Sequence, residues 1–142
     1  MSQPYEGGCQ CGAVRYKITS AATVIYACHC NHCQTQSGSA FGLSFRLPGA
    51  HFQLTKGELK TYDRQGDTQI IRGSFCADCG TRIHHTLETQ PNVISLKPGT
   101  LDDTTWLPKP TNVWVRGAQP WVAFPDGEVV YRKSFADGPD AL

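Results

Sequence analysis

The chain is expected to fold as a mainly-β protein. Short runs of alternating or β-branched residues recur along it. Its 14 glycines and 9 prolines punctuate it at short intervals, and no stretch carries a convincing amphipathic helical period. With 142 residues it is expected to be one domain spanning 1–142, with a core over about 5–134 and a frayed tail around Ala136–Asp140.

Each element has its own signal. Gly7-Gly8 reads as a turn leading into Cys9 and Cys11. Ala13–Ile18 roughly alternates, and Thr23–Tyr26 is β-branched and aromatic, so both are expected strands. A short helical turn is expected over Asn31–Ser37, then a strand over Ala40–Phe45. Further strands are expected at His51–Leu54, Leu59–Tyr62, Thr68–Phe75, Thr81–His85, Val93–Leu96, Asn112–Val115 and Val129–Tyr131, with turns at Pro98-Gly99 and Asp126-Gly127.

Charge narrows the function classes. Thirteen basic against twelve acidic residues give a net charge of +1, with no basic run, so neither nucleic acid nor an anionic membrane is expected as a partner. Met1–Glu6 has neither a basic nor an apolar region and is not expected to be a signal peptide. No apolar run approaches the roughly 20 residues that span a bilayer. A cytoplasmic, reducing setting is expected, where clustered thiols are metal ligands or catalytic groups more often than disulfides.

The seven cysteines fall into three clusters: Cys9/Cys11, Cys28/Cys30/Cys33 and Cys76/Cys79. Seven is odd, and Cys at i and i+2 of a strand have Cα atoms about 6.5–7 Å apart, at the limit for a bridge. Zinc suits them, being bound tetrahedrally by thiolate and imidazole. Cys76-Ala77-Asp78-Cys79-Gly80 is a C-x-x-C-G turn, whose glycine permits a positive φ. Cys9 and Cys11, on a strand, would present two sulfurs on one face. Two divisions fit the spacing. Cys28, Cys30 and Cys33 can reach one metal unaided, leaving Cys9, Cys11, Cys76 and Cys79 to close another. Alternatively Cys30/Cys33 and Cys76/Cys79 form a ribbon-like site with a long gap, leaving Cys9, Cys11 and Cys28. In the first division four thiolates make a closed, structural site, and three leave a position open, as catalytic sites do.

Three segments carry a resemblance: Gly7–Tyr16, Cys28–Phe41 and Phe75–Ile83. They resemble the glutathione-dependent formaldehyde-activating enzyme family (GFA/CENP-V domain), as do Gly99–Asp103, Pro120-Trp121 and Pro125-Asp126. The resemblance implies an Mss4-like fold of short antiparallel strands organised around two zinc ions. It places Cys9, Cys11, Cys76 and Cys79 on the structural zinc and Cys28, Cys30 and Cys33 on the catalytic one. It also implies carbon–sulfur lyase-type chemistry on adducts of a small thiol such as glutathione with an aldehyde. The chain is shorter than the members named for formaldehyde, so the metal sites carry over more firmly than the substrate.

Formal charge agrees with a thiol substrate. Zinc with three thiolates carries −1, which disfavours water activation, whereas an incoming thiol at a metal is deprotonated outright. Nucleobase deamination is set aside because the chain has no H-x-E. The competing reading is a non-enzymatic binding module in which both zincs are structural, and His32 closing the second site would favour it. His29 and His32 are expected to point into solvent, and His84 and His85 to be partly exposed sheet positions; His51 is the fifth histidine. Gln34, Ser37 and Ser39 follow the three-thiol cluster and are expected either to position a substrate by hydrogen bonds or to cap and turn. Trp106, Trp114, Trp121 and Phe124 are expected to form core or pocket wall. Arg82 and Arg116 are solvated cations or carboxylate clamps.

Overall fold

The computed structural model describes residues 4–20 and 24–141, and the side chains of 140 and 141 lie outside the description. The architecture is mainly β, with one seven-residue α-helix among the described residues. No helix among the described residues is long and apolar enough to cross a membrane. The chain clusters into two compact units, residues 1–23 with 45–107, and residues 24–44 with 108–142.

The first unit contains a three-stranded antiparallel sheet of β1 (Tyr5–Gly8), β2 (Arg15–Ile18) and β5 (Phe52–Lys56) in the order β1-β2-β5. Its alternation is plain: Tyr16 and Ile18 are buried while Arg15 and Lys17 are only half-buried. Gly7-Gly8 lies inside β1, opposite Tyr16 and Arg15, and not in the expected turn. Glycine is required there by close approach, since a Cβ at Gly7 would lie 2.4 Å from the Tyr16 hydroxyl and 2.5 Å from the Thr100 carbonyl. The same unit holds an antiparallel meander of β6 (Leu59–Gln65), β7 (Ile70–Cys76), β8 (Arg82–Leu87) and β9 (Gln90–Leu96). Residues 45–48 of β4 (Gly42–Pro48) pair with β9. Val14, Tyr16, Ile18, Phe45, Ile83 and Leu96 are almost wholly buried and form its core.

In the second unit β3 (Ile25–Cys28) runs parallel to β10 (Thr111–Val113), with Asn112 opposite Ala27 and Val113 opposite Cys28. β10 is also parallel to β11 (Val129–Val130), so the strands are not all antiparallel as expected. β3 lies later in the sequence than its apolar signal, and Thr23 falls outside the described residues. β10 stops early because Trp114 takes the left-handed conformation (φ 56°), which turns the chain into a 3-10 segment, Val115–Gly117. Secondary structure extends into the segment expected to fray. Ser134 and Asp137 form a reciprocal capping box on a 3-10 turn, and β12 (Asp140–Ala141) pairs with β11.

Candidate metal centres

The first cluster is built from two turns. Cys9 follows β1, and the Gly12 N–H bonds back to the Cys9 carbonyl at 3.1 Å. The C-x-C pair therefore converges through a turn, and not through the strand pleat that spacing suggested. Cys76 ends β7, and the Gly80 N–H reaches its carbonyl at 2.9 Å with Gly80 at φ 77°. That left-handed glycine folds Cys79 back toward Cys76, as the C-x-x-C-G pattern predicts. The Gln10 N–H bonds Thr81 Oγ1 at 3.1 Å and ties the two turns together.

The four sulfurs of Cys9, Cys11, Cys76 and Cys79 lie within 4.8 Å of one another. Cys9 and Cys11 are 3.6 Å apart, and Cys11 and Cys76 are 3.8 Å apart. A tetrahedron with zinc–sulfur bonds of about 2.3 Å has edges of about 3.8 Å, so the set fits a four-coordinate metal. A disulfide would need about 2.05 Å, and all seven cysteines are free. The Val14 N–H donates to Cys9 Sγ at 3.1 Å, which favours thiolate. The Thr81 hydroxyl, 3.2 Å from Cys79 Sγ, heads the contacts that bring the Cys79 thiol down to about 5.

The second cluster is local. Cys28 ends β3, Cys30 is the N-cap of helix α1 (Asn31–Ser37) and Cys33 lies in its first turn. The Cys30 sulfur accepts the Cys33 N–H at 3.4 Å, so the ligand loop and the helix cap are one structure. Cys28, Cys30 and Cys33 lie within 4.8 Å of one another, and no fourth Cys, His, Asp or Glu among the described residues joins them at that distance. The thiols compete for negative charge. Hydrogen bonds from Cys28 and Cys33 hold Cys30 down at about 2, while facing Cys30 and Cys33 pushes Cys28 up. Three converging sulfurs suit a soft cation with one position to spare.

The neighbouring residues fall into place around these clusters. His32 is exposed, as expected. His29 is a correction: it is fully buried rather than in solvent, because its Nε2 bonds Asn112 Oδ1 at 2.8 Å and its ring packs against Phe41 and Phe124. Gln34 does not cap; its Nε2 donates to the carbonyls of His29 and Gly117, each at 2.8 Å. Ser37 makes a local turn, donating to the Cys33 and Phe41 carbonyls, and Ser39 is exposed. His84 and His85 are half-buried on β8, and desolvation lowers them to about 4 and about 3. His51 bonds Thr19 Oγ1 at 3.0 Å. Trp106 stacks on Tyr5 as wall, whereas Trp121 is 71% exposed with its N–H on Gln119. Arg116 lies 5.0 Å over the Trp114 ring, and the Arg82 guanidinium packs across Gly73. Asn112, Gly117, Gln119 and Thr81 were not singled out by sequence. They act from up to 85 residues away, and no local pattern marks them.

Comparison with known proteins matches residues 4–117 to the model of the glutathione-dependent formaldehyde-activating enzyme family, GFA. The chain belongs to the GFA family. A crystal structure of a Rhodobacter sphaeroides protein matches with a TM-score of 0.60 at 19% identity, covering 76% of this chain and 99% of that one. That likeness speaks to the fold, which is mainly β and consistent with the GFA and Mss4-like architecture. In this GFA chain each cysteine cluster has a geometry that can hold a metal ion.

Proposed function

We propose that the protein is a zinc-dependent carbon–sulfur lyase-type enzyme, acting on the adduct of a small thiol such as glutathione with an aldehyde. One domain over residues 1–142, working in a reducing cytoplasm, would carry the activity. Cys9, Cys11, Cys76 and Cys79 are assigned to a structural zinc, and Cys28, Cys30 and Cys33 to a catalytic one. The observation that carries the reading is the asymmetry of the two donor sets, four converging thiols against three with no fourth donor among the described residues within 4.8 Å. Family membership supports the thiol as substrate class.

Zinc held by the three thiols would supply a coordination position for a soft sulfur donor and keep that donor as thiolate. The chain's own residues set the conditions. The Cys28 sulfur is shielded at the end of β3, while Cys30 and Cys33 are half-buried on the helix side. His29 is fully buried with its Nε2 on Asn112 Oδ1, and neither of its ring nitrogens joins the three sulfurs within 4.8 Å.

Metal analysis of the purified protein is expected to find close to two zinc per chain. Glutathione titrated calorimetrically into that protein is expected to bind, and aldehyde–glutathione adducts to turn over, with both effects lost in Cys28→Ser. No binding of any small thiol at millimolar concentration would sink the reading. It would then favour a binding module with two structural zincs.

A further inference from the structure

We infer that Gln34 is the positioning residue of the three-thiol cluster: its side-chain amide, bonded to the His29 and Gly117 carbonyls, holds the Cys28–Cys33 loop at metal-binding spacing. This rests on the reading that the cluster holds a metal.

The loop needs such a support. Helix α1 has seven residues, none of them buried, and no acidic residue in its first turn. A helix this short is unstable by itself in water. Cys30 at its cap and Cys33 inside it must nevertheless keep fixed positions against Cys28 on β3. The only residue between Cys28 and Cys30 is His29, and three of its polar groups are held. Its N–H donates to the Val113 carbonyl at 3.0 Å, its Nε2 to Asn112 Oδ1 at 2.8 Å, and its carbonyl accepts from Gln34 Nε2 at 2.8 Å.

The Gln34 side chain ties the helix to His29, the residue after β3, and to Gly117. Its two N–H groups are divided between two carbonyls, His29 and Gly117, each at 2.8 Å. Its Oε1 accepts from Gln119 Nε2 at 3.2 Å, which fixes the amide's orientation. The chain comes close enough for this because residue 117 is glycine: a Cβ there would lie 2.9 Å from the His29 carbonyl oxygen. Gln34→Glu keeps the shape, removes both donors and sets a carboxylate against two carbonyl oxygens. Partners that orient metal ligands are commonly worth 10–100-fold in metal affinity.

The test uses the full chain loaded with zinc, or with cobalt for its thiolate charge-transfer absorbance, as wild type, Gln34→Glu, Gln34→Leu and Gly117→Ala. Cys28→Ser marks the signal of the three-thiol cluster. Chelator competition is expected to show two metals in the wild type. In each of the three variants the weaker-held metal is expected to lose about 10–100-fold in affinity, while the four-thiol metal keeps its wild-type affinity. Two metals held with wild-type affinity in Gln34→Glu and Gln34→Leu overturn the inference. Equal loss from both clusters also overturns it, since that assigns Gln34 to general stability. A single metal in the wild type overturns the metal reading beneath it, and is told apart because it appears before any substitution.

Discussion

The four-thiol and three-thiol clusters use the same ligand chemistry in opposite ways. The first joins two turns whose cysteines stand 65 residues apart. The second lies within six consecutive residues, and its geometry is set by a strand end and a helix cap. A long-range clasp contributes to folding, because the metal's binding energy is realised only when the chain has closed. A local loop contributes little to closure and can keep a coordination position vacant. On the proposed reading, donor count and sequence separation together, and not cysteine identity, divide scaffold from site.

The largest effect that would break this contrast is at Cys76, which is 1% exposed. Cys76→Ser is expected to abolish the cooperative thermal transition, since a structural zinc supplies on the order of 10 kcal/mol. Circular dichroism melting checks it, and a wild-type melt would dismantle the clasp assignment. Next comes Cys28→Ser, expected to lose one metal and the activity while its melting temperature stays within a few degrees of wild type. If it unfolds like Cys76→Ser, the two clusters are not different in kind.

Acid gives a smaller effect, confined to the unit with the clasp. His84 and His85 are lowered to about 4 and about 3 by desolvation, with Arg82 nearby opposing their protonation. Below about 6.5 the unfolded chain takes up protons that the folded one refuses, so stability falls with pH from there toward 3. Replacing both histidines by Phe is expected to flatten urea-midpoint stability between pH 6.5 and 4.5. An unchanged slope would remove them as its cause. The smallest effect is at the surface pair Arg15–Asp102, whose side chains are 33% and 51% exposed. Asp102→Asn is expected to cost less than about 1 kcal/mol by denaturant titration and to leave both metals in place.

Much of this was legible in the sequence where the determinants are local. Asn31–Ser37 is the helix the spacing suggested, and Gly80 closes its turn as the C-x-x-C-G pattern requires. Of the two divisions that spacing allowed, the sulfurs take the 4+3 one that the resemblance also implied. Two of the misses share a cause. Gly7-Gly8 looked like a turn, yet it is strand because Tyr16 and Thr100 crowd the backbone there. His29 looked like a loop residue, yet it is buried by Asn112, 83 residues away. Trp114 ended β10 through a left-handed backbone that its side chain does not advertise. The first two depend on a neighbour distant in sequence, which periodicity does not register.

The separation between Cys11 and Cys76 also bears on how the protein comes into being. A chain made from its amino terminus presents Cys28, Cys30 and Cys33 well before Cys76 and Cys79 exist. For that interval the complete donor set is the open one, and the closed one is half made. Cys9 and Cys11 must therefore wait, as reduced thiols, for partners more than sixty residues downstream. On the proposed assignment the structural set is the last to be completed, and Cys9 and Cys11 stay without their partners until Cys79 has been made.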